Sequence, residues 1–282
     1  LSIIPILYYI AIMYFNVTIK KTTILFLALL LGGSFLQSCS DEDENVTYTN
    51  SSSETGCYLT QETIETDGEI ETIIYIYENN NITSATSIFE QDTLNTITFE
   101  YDGDRVIRAS DDFNDYQFLY SGDNSIPSRV DVKSGTEITG YYVIQSSGQN
   151  ITEFEDHDLS TGDDIINSMS TFSYNNSGNL TQCVFNELNQ ETNELEEFLT
   201  FDVTTYDNRK NPYNSNFAFF IMDPENPLIV GNQNIVSGTI SIDVDTETVE
   251  LPFASSYEYN DDQYPTSSSF TIPGFTSENR TL

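Results

Sequence analysis

Ile97-Thr98-Phe99-Glu100-Tyr101, then Asp102-Gly103-Asp104-Arg105, then Val106-Ile107: an apolar–polar alternation closes on a tyrosine, four turn residues follow, and an apolar pair restarts the chain. Alternation with a period of two marks a strand with one buried face, and Asp-Gly between two such runs supplies hairpin geometry. The theme recurs. Tyr75-Ile76-Tyr77 passes through Glu78-Asn79-Asn80-Asn81 to Ile82, and Tyr116-Gln117-Phe118-Leu119-Tyr120 passes through Ser121-Gly122-Asp123-Asn124-Ser125 to Ile126. Tyr141-Tyr142-Val143-Ile144 turns through Ser146 to Asn150 into Ile151, and Phe172-Ser173-Tyr174 through Asn175 to Asn179 into Leu180. Looser copies stand at Tyr206-Asp207-Asn208-Arg209-Lys210-Asn211-Pro212 and from Tyr257 to Pro265.

The turn-flanking aromatics are spaced irregularly, from 19 residues (Tyr101 to Tyr120) to more than 50 (Tyr206 to Tyr259), which describes hairpins with variable far loops and not a strict solenoid. Hairpins joined in series make an antiparallel meander, whose edges must be closed or covered. The expected fold is therefore all-β: an antiparallel meander of repeated hairpins forming a strongly curved, barrel-like or half-shell sheet of about ten strands. Pro212, Pro224, Pro227, Pro252, Pro265 and Pro273 predict more edge strands and longer loops in the last third. A membrane barrel is the rival, but the runs lack a continuous apolar outer band. Helix is expected to be scarce. Glu187 to Phe198 has some helix formers, with Asn189 and Asn193 favouring a long polar loop.

Ahead of this domain the chain is organised differently. Lys20 and Lys21 precede the apolar run Ile24 to Leu31, Gly32-Gly33-Ser34 break it, and Leu36-Gln37-Ser38-Cys39 closes it. A charged n-region and a short apolar core make a secretory signal, too short for a spanning helix of about 20 residues. Residues 1–16 hold a second apolar run ahead of the lysines, read as sequence upstream of a start at Met13 or Val17. Residues 17–38 are then the signal peptide, 39–55 an acidic flexible tether, and 56–282 a single β-rich domain. The tether, Ser40 to Glu54, has no periodicity and almost no apolar content.

The whole chain has a formal charge of −36. Residues 1–38 contain Lys20 and Lys21 and no acids, so the remainder carries 7 basic and 45 acidic residues, a charge of −38. Such a surface repels nucleic-acid phosphates and anionic headgroups, and no nucleic-acid partner is expected. The 18 Tyr and 18 Phe argue for folded β-structure and against disorder.

Leu36-Gln37-Ser38-Cys39 resembles the lipobox of bacterial lipoproteins, Gln37 departing from the usual small residue. That resemblance implies that Cys39 is acylated on its sulfur and becomes the N-terminus, with membrane lipid as a partner. The run Ser40, Asp41, Glu42, Asp43, Glu44 behind it resembles the surface-export tag of Bacteroidetes-type lipoproteins, which implies an outer-membrane anchor and a domain facing the cell exterior. The hairpin copies resemble the YD repeats of large bacterial shell-forming proteins. Over about residues 70–270, including Tyr206-Asp207-Asn208-Arg209-Lys210-Asn211-Pro212-Tyr213, they also resemble a group of uncharacterised Bacteroidetes lipoproteins whose domain is described as porin-like in fold. Asp92-Thr93-Leu94 resembles the short O-glycosylation signal of exported Bacteroidetes proteins, which implies a glycan on Thr93.

Chemistry-bearing motifs are few. His157, the one histidine, lies in Asp156-His157-Asp158 between a strand and a Gly turn and reads as an exposed loop residue, because catalytic or metal roles need partners the sequence does not supply. No nucleophile elbow, phosphate loop or calcium loop occurs, so no cofactor, metal or catalytic residue is assigned. Asp111-Asp112, Asp163-Asp164 and Glu196-Glu197 offer carboxylate pairs of the kind glycoside hydrolysis uses. In a chain with 45 acids such pairs arise by chance, and the absence of Trp removes a common sugar-stacking residue. Asp243, Asp245 and Glu247 alternate, so along one strand they would form a row facing either a calcium ion or solvent. Cys57 and Cys183 are the thiols left after lipidation; in an oxidising compartment they form a disulfide, or Cys183 is a buried strand residue. Two function classes follow: a non-catalytic cell-surface protein binding a ligand, glycan or envelope protein through its curved sheet, or a hydrolase of surface polymers using a carboxylate pair. Convergence of two acidic pairs in one aromatic-lined cleft discriminates them.

Overall fold

A computed structural model describes residues 59–66, 69–89, 92–244, 247–261 and 263–273. Fifteen strands follow one another: β1 (Gln61–Thr66), β2 (Glu69–Glu78), β3 (Asn81–Phe89), β4 (Asp92–Asp102), β5 (Arg105–Ser110), β6 (Asp115–Leu119), β7 (Arg129–Ser134), β8 (Glu137–Ser147), β9 (Asn150–Asp158), β10 (Ile165–Tyr174), β11 (Leu180–Asn189), β12 (Glu194–Lys210), β13 (Gln233–Val244), β14 (Glu247–Tyr259) and β15 (Pro265–Thr271). Each pairs antiparallel with its sequence neighbour, and among the described residues no β1–β15 pairing closes the sheet. The expected meander is present, with fifteen strands in place of about ten. Part of the excess comes from Glu187 to Phe198, which is neither helix nor long loop. β11 runs to Asn189, β12 begins at Glu194, and Asn193 takes the left-handed turn position at φ 60°. The last third departs from its expected edge strands: β12, at 17 residues, is an interior strand paired on both sides.

The five early hairpin copies all turn at one end of the sheet, the near end, at β2–β3, β4–β5, β6–β7, β8–β9 and β10–β11. In two of these copies, and in the two looser ones that follow, a tyrosine hydroxyl reaches a backbone carbonyl of the preceding strand or segment. The hydroxyl of Tyr77 donates to Leu59 O at 2.8 Å and that of Tyr120 to Val106 O at 2.7 Å; Tyr257 reaches Ile235 O at 2.9 Å, and Tyr206 bonds Leu180 O. Each ring thus covers the core while its polar tip satisfies a backbone carbonyl at the hairpin base.

Between β12 and β13 the chain leaves the sheet. Pro212–Ser215 forms a 3-10 turn, and Phe217–Met222 a single helix, α1, capped by Asn216, whose side chain accepts the Ala218 N–H at 2.9 Å. A helix reading Phe-Ala-Phe-Phe-Ile-Met is apolar all round and has to be enclosed. It is: Phe219 meets Tyr75 of β2 with ring centroids 5.2 Å apart, Phe217 meets Phe118 of β6 at 6.2 Å, and Phe220 meets Phe154 of β9 at 5.7 Å and Phe172 of β10 at 6.2 Å. In a flat sheet β2 and β10 would stand about 38 Å apart. Two consecutive residues of one helix reach both, so the sheet curls strongly around α1 as a half-shell.

The curl fixes which face is which. Tyr75, Phe99, Phe118, Phe154, Phe172, Phe185, Phe201 and Phe253 point inward and are buried. The register puts Arg108, Gln117, Asp131 and Glu155 on the outer face, where Arg108 pairs with Glu100 at 3.1 Å and Asp115 at 2.6 Å, and Arg129 with Asp131 at 2.6 Å. An apolar patch remains at Ile70, Ile74 and Ile76 on β2, and Leu94, Ile107, Phe113, Leu119 and Ile138 are also exposed on or between β4, β5, β6 and β8. A lipid-spanning barrel has apolar residues outside and polar ones inside. Most of this sheet is the reverse, as expected from the lack of an apolar outer band. No helix among the described residues is long and apolar enough to cross a membrane.

Candidate functional site

The insertion between β12 and β13 dips into the shell from the near end and returns to it. Asn211 N–H donates to Asn232 O at 3.1 Å where the two arms meet, and Asn232 N–H donates to Gly178 O at 3.2 Å, tying the return to the β10–β11 turn. Gly178 has φ +75° and a Cβ there would lie 2.5 Å from Asn232 Nδ2, so only glycine fits this seam. Just past α1 the chain reads Asp223-Pro224-Glu225.

These two carboxyls each accept a side-chain hydrogen bond. Ser168 of β10 donates its hydroxyl to Glu225 Oε1 at 2.7 Å, and Asn226 Nδ2 donates to Asp223 Oδ2 at 2.8 Å. The register sets Ser168 opposite Asp156 of β9 and Glu187 of β11 on the same inner face, and Asp156 opposite Tyr142 of β8. Burial raises the Glu225 carboxyl to about 7, helped by the neighbouring Glu187, Asp156 and Asp223 carboxylates and opposed by the Ser168 hydrogen bond. Burial likewise raises Asp223 to about 6, with Glu62 and Glu71 adding to it and Asn226 opposing. Glu187 is raised by burial alone, and Tyr142 by burial and then by Tyr116, Asp156, Glu225 and Asp111. On the inner face of β10, two residues beyond Ser168, the buried Ser170 hydroxyl has no hydrogen-bond partner among the described residues. At the sheet's first edge the buried Glu62 carboxylate accepts the hydroxyls of Tyr75 at 2.8 Å and Tyr213 at 3.0 Å. The arrangement can hold a proton near neutrality between crowded carboxylates.

A second polar group lies on the outer face. His157 is not in an exposed loop: it is a residue of β9 with 8% of its surface accessible, because Tyr141 of β8, its cross-strand partner, stacks on it with centroids 4.2 Å apart. Its Nδ1 lies 2.8 Å from Asp164 Oδ1 and its Nε2 2.9 Å from Glu155 Oε2, while Arg129 stands 3.6 Å over the other face of Tyr141. Tyr141 donates its hydroxyl to Asp164 Oδ2 at 2.6 Å, and that bond, followed by the His157 one, lowers the Asp164 carboxyl. Both ring nitrogens are engaged and both faces of Tyr141 are covered, so the group braces strands β7 to β10.

The carboxylate pairs do not converge. Asp111 caps the β5–β6 turn, accepting Phe113 N at 2.8 Å and Asn114 N at 2.7 Å. Asp163-Asp164 occupy the β9–β10 turn beside His157, and Glu196-Glu197 begin β12, bonded to Asn189 at 2.8 Å and Thr200 at 2.6 Å respectively. Asp243 and Glu247 do not share one strand: β13 ends at Val244, which pairs with Glu247, while Asp243 pairs with Thr248 and accepts its hydroxyl at 2.7 Å. The chain reverses inside the run that the alternation predicted as straight; Asp245 lies outside the described residues. No group of three metal-ligating side chains occurs among the described residues.

Thr93 is exposed at the start of β4. Cys183 is a free, fully buried residue of β11, its thiol raised by burial and then by Glu225; Cys57 lies outside the described residues. So do Cys39 and the run Ser40, Asp41, Glu42, Asp43 and Glu44. Sequence reasoning missed Asp223, Glu225, Asp156 and Glu187 as a group. The available signal was an all-apolar hexapeptide that alternates with nothing, followed at once by two acids.

No family model matches the chain, and no curated protein matches it. Among solved structures it is similar to a porin-like protein from Bacteroides vulgatus, at 12% identity and a TM-score of 0.45, over 78% of this chain and 95% of that one.

Proposed function

We propose that this is a non-catalytic, lipid-anchored protein of the outer membrane, its domain facing the cell exterior and binding a ligand, a glycan or an envelope protein with its curved sheet. The observation that carries the reading is the polarity of the shell. Charged and hydroxyl side chains cover most of its outside and aromatic residues fill its inside, so the domain stands in water and needs a separate device to reach a membrane. The lipobox-like Leu36-Gln37-Ser38-Cys39 supplies that device, and the acidic tether holds the domain clear of anionic headgroups. The hydrolase alternative loses its support, because the three carboxylate pairs sit on separate turns and strand ends.

Fatty-acid labelling tests the anchor: the wild type takes up label and Cys39→Ala does not. Protease added to intact cells tests the direction: the domain is cut in the wild type, and changing Asp41, Glu42, Asp43 and Glu44 to Ala leaves it lipidated but protected. Label on Cys39→Ala, or wild-type protein cut only after the outer membrane is opened, refutes the corresponding half.

A further inference from the structure

At the near end, where β12 runs out toward the insertion, the ladder to β13 is broken. Tyr206 pairs with Ile235 and the next pair is Lys210 with Gln233, so Asp207, Asn208 and Arg209 stand against Asn234 alone. A bulge of this kind re-aims side chains away from the sheet. Asn208 takes a left-handed φ of 61°, and across from it, in the β14–β15 turn, Gln263 takes a left-handed φ of 70°. Two of the five non-glycine residues with positive φ among those described therefore line one place. Such conformations are costly and gather where a backbone is held for a purpose. Between them lies an open recess of about 310 Å³, lined by Asn208, Arg209, Lys210, Gln263 and Tyr264.

Its charge is unlike the rest of the molecule. Among the described residues it is the one place where two basic residues, Arg209 and Lys210, are adjacent in sequence, and neither forms an ion pair there, whereas Arg108 and Arg129 are tied to carboxylates. The nearest acid in sequence, Asp207, turns back to accept the Arg209 N–H at 2.9 Å and Asn234 Nδ2 at 3.1 Å. Arg209 is held in place by the Tyr259 ring, 5.0 Å from its guanidinium carbon. A guanidinium and an ammonium side by side match an oxyanion, the planar fork taking two of its oxygens. Asp207 is close enough to Arg209 to interact with it, and Asp261 stands in the turn that carries Gln263; of the rest of the chain's charge of −36, whatever is exposed and more than about 10 Å away is screened by salt.

The remaining lining groups define what carries the anion. Asn208 and Gln263 offer carboxamides, each both donor and acceptor, which suit neighbouring hydroxyls, and Tyr264 offers an aromatic ring for a C–H face. The volume is at the small end of ligand sites, about 300–1,000 Å³, and holds one ring and its substituent. We infer that this recess binds an acidic sugar, Arg209 and Lys210 taking its carboxylate or phosphate and Asn208, Gln263 and Tyr264 its ring. The inference deepens the binding reading above by naming a ligand class; it does not depend on the anchor at Cys39, whose labelling test is separate.

Calorimetric titration of the full chain in detergent tests it with three probes: glucuronate, glucose 6-phosphate and glucose. Saturable binding is expected for glucuronate or glucose 6-phosphate, whichever anion fits, with glucose weaker by about tenfold or more and Lys210→Gln and Arg209→Gln each weakening the charged sugar by about tenfold. Lys210 is exposed, so Lys210→Gln should keep the wild-type melting curve and isolate the charge. The inference is overturned if neither charged sugar saturates, if glucose binds equally well, or if Lys210→Gln binds like the wild type.

Discussion

The Ser168 hydroxyl donates to Glu225 Oε1 at 2.7 Å across 57 residues of sequence, and the bond pins the insertion, just past α1, to β10 of the shell. It is made inside a crowd of carboxylates. Glu225 therefore keeps its proton to about 7 in the folded protein, against an ordinary glutamate value well below that.

Stability should consequently fall as pH rises. A carboxyl raised by folding adds its full contribution below its unfolded value and loses it as pH climbs through its folded one; here that window runs from about 4.5 up to about 7 for Glu225, and Asp223 acts in the same direction up to about 6. Glu225→Gln keeps an acceptor for Ser168 and cannot ionise. Urea unfolding at pH 5 and pH 8 should show a smaller difference for the variant, which gains up to about 3 kcal/mol over the wild type at the higher pH.

Phe220 is the ring that α1 sets between Phe154 and Phe172, at 5.7 and 6.2 Å. Phe220→Ala should cost about 3–5 kcal/mol in chemical unfolding, as expected for emptying a core aromatic site. A loss under about 1 kcal/mol would mean the helix is not seated as described.

Gly238 in β13 has ordinary backbone angles and no room. A Cβ would lie 2.0 Å from Asp202 O and 2.6 Å from the Phe253 ring. Gly238→Ala should lower stability by about 1–3 kcal/mol or more through displacement of β12 against β13. Gly135→Ala, where a Cβ would meet nothing within 4 Å, should show only the penalty of its left-handed φ, about 1 kcal/mol.

Cys183 is fully buried and its thiol is raised by burial. In native protein carrying Cys39→Ala it should resist a thiol reagent for as long as the fold persists, then react at once in denaturant. Denatured without reductant, that variant should titrate two thiols, Cys57 and Cys183; a count of zero would reveal a bridge between them.

The near-end hairpins were legible because a tyrosine, a four-residue polar turn and a restarting apolar residue carry both periodicity and turn chemistry within a dozen positions. The interior was not. α1 is six apolar residues without an amphipathic rhythm, since every side of it is covered, and helix periodicity appears only when one side is wet. His157 read as a loop residue because it stands between a strand and a Gly turn with no partner evident in sequence; register with Tyr141, invisible in sequence, buries it. Asp243 and Glu247 were misplaced for the opposite reason: alternation continues smoothly in the sequence, and only the Val244–Glu247 pairing shows that the two residues stand on different strands.

The meander pairs every strand with the one made just before it, so the sheet can assemble by short, inexpensive loop closures. The insertion follows a different schedule. Its Tyr213 meets Glu62 across 151 residues, and α1 touches β2, β6, β9 and β10, all synthesised earlier. The first twelve strands therefore precede in sequence the helix that covers their aromatic face, and the contacts between α1 and β2, β6, β9 and β10 are complete only once the insertion has been made.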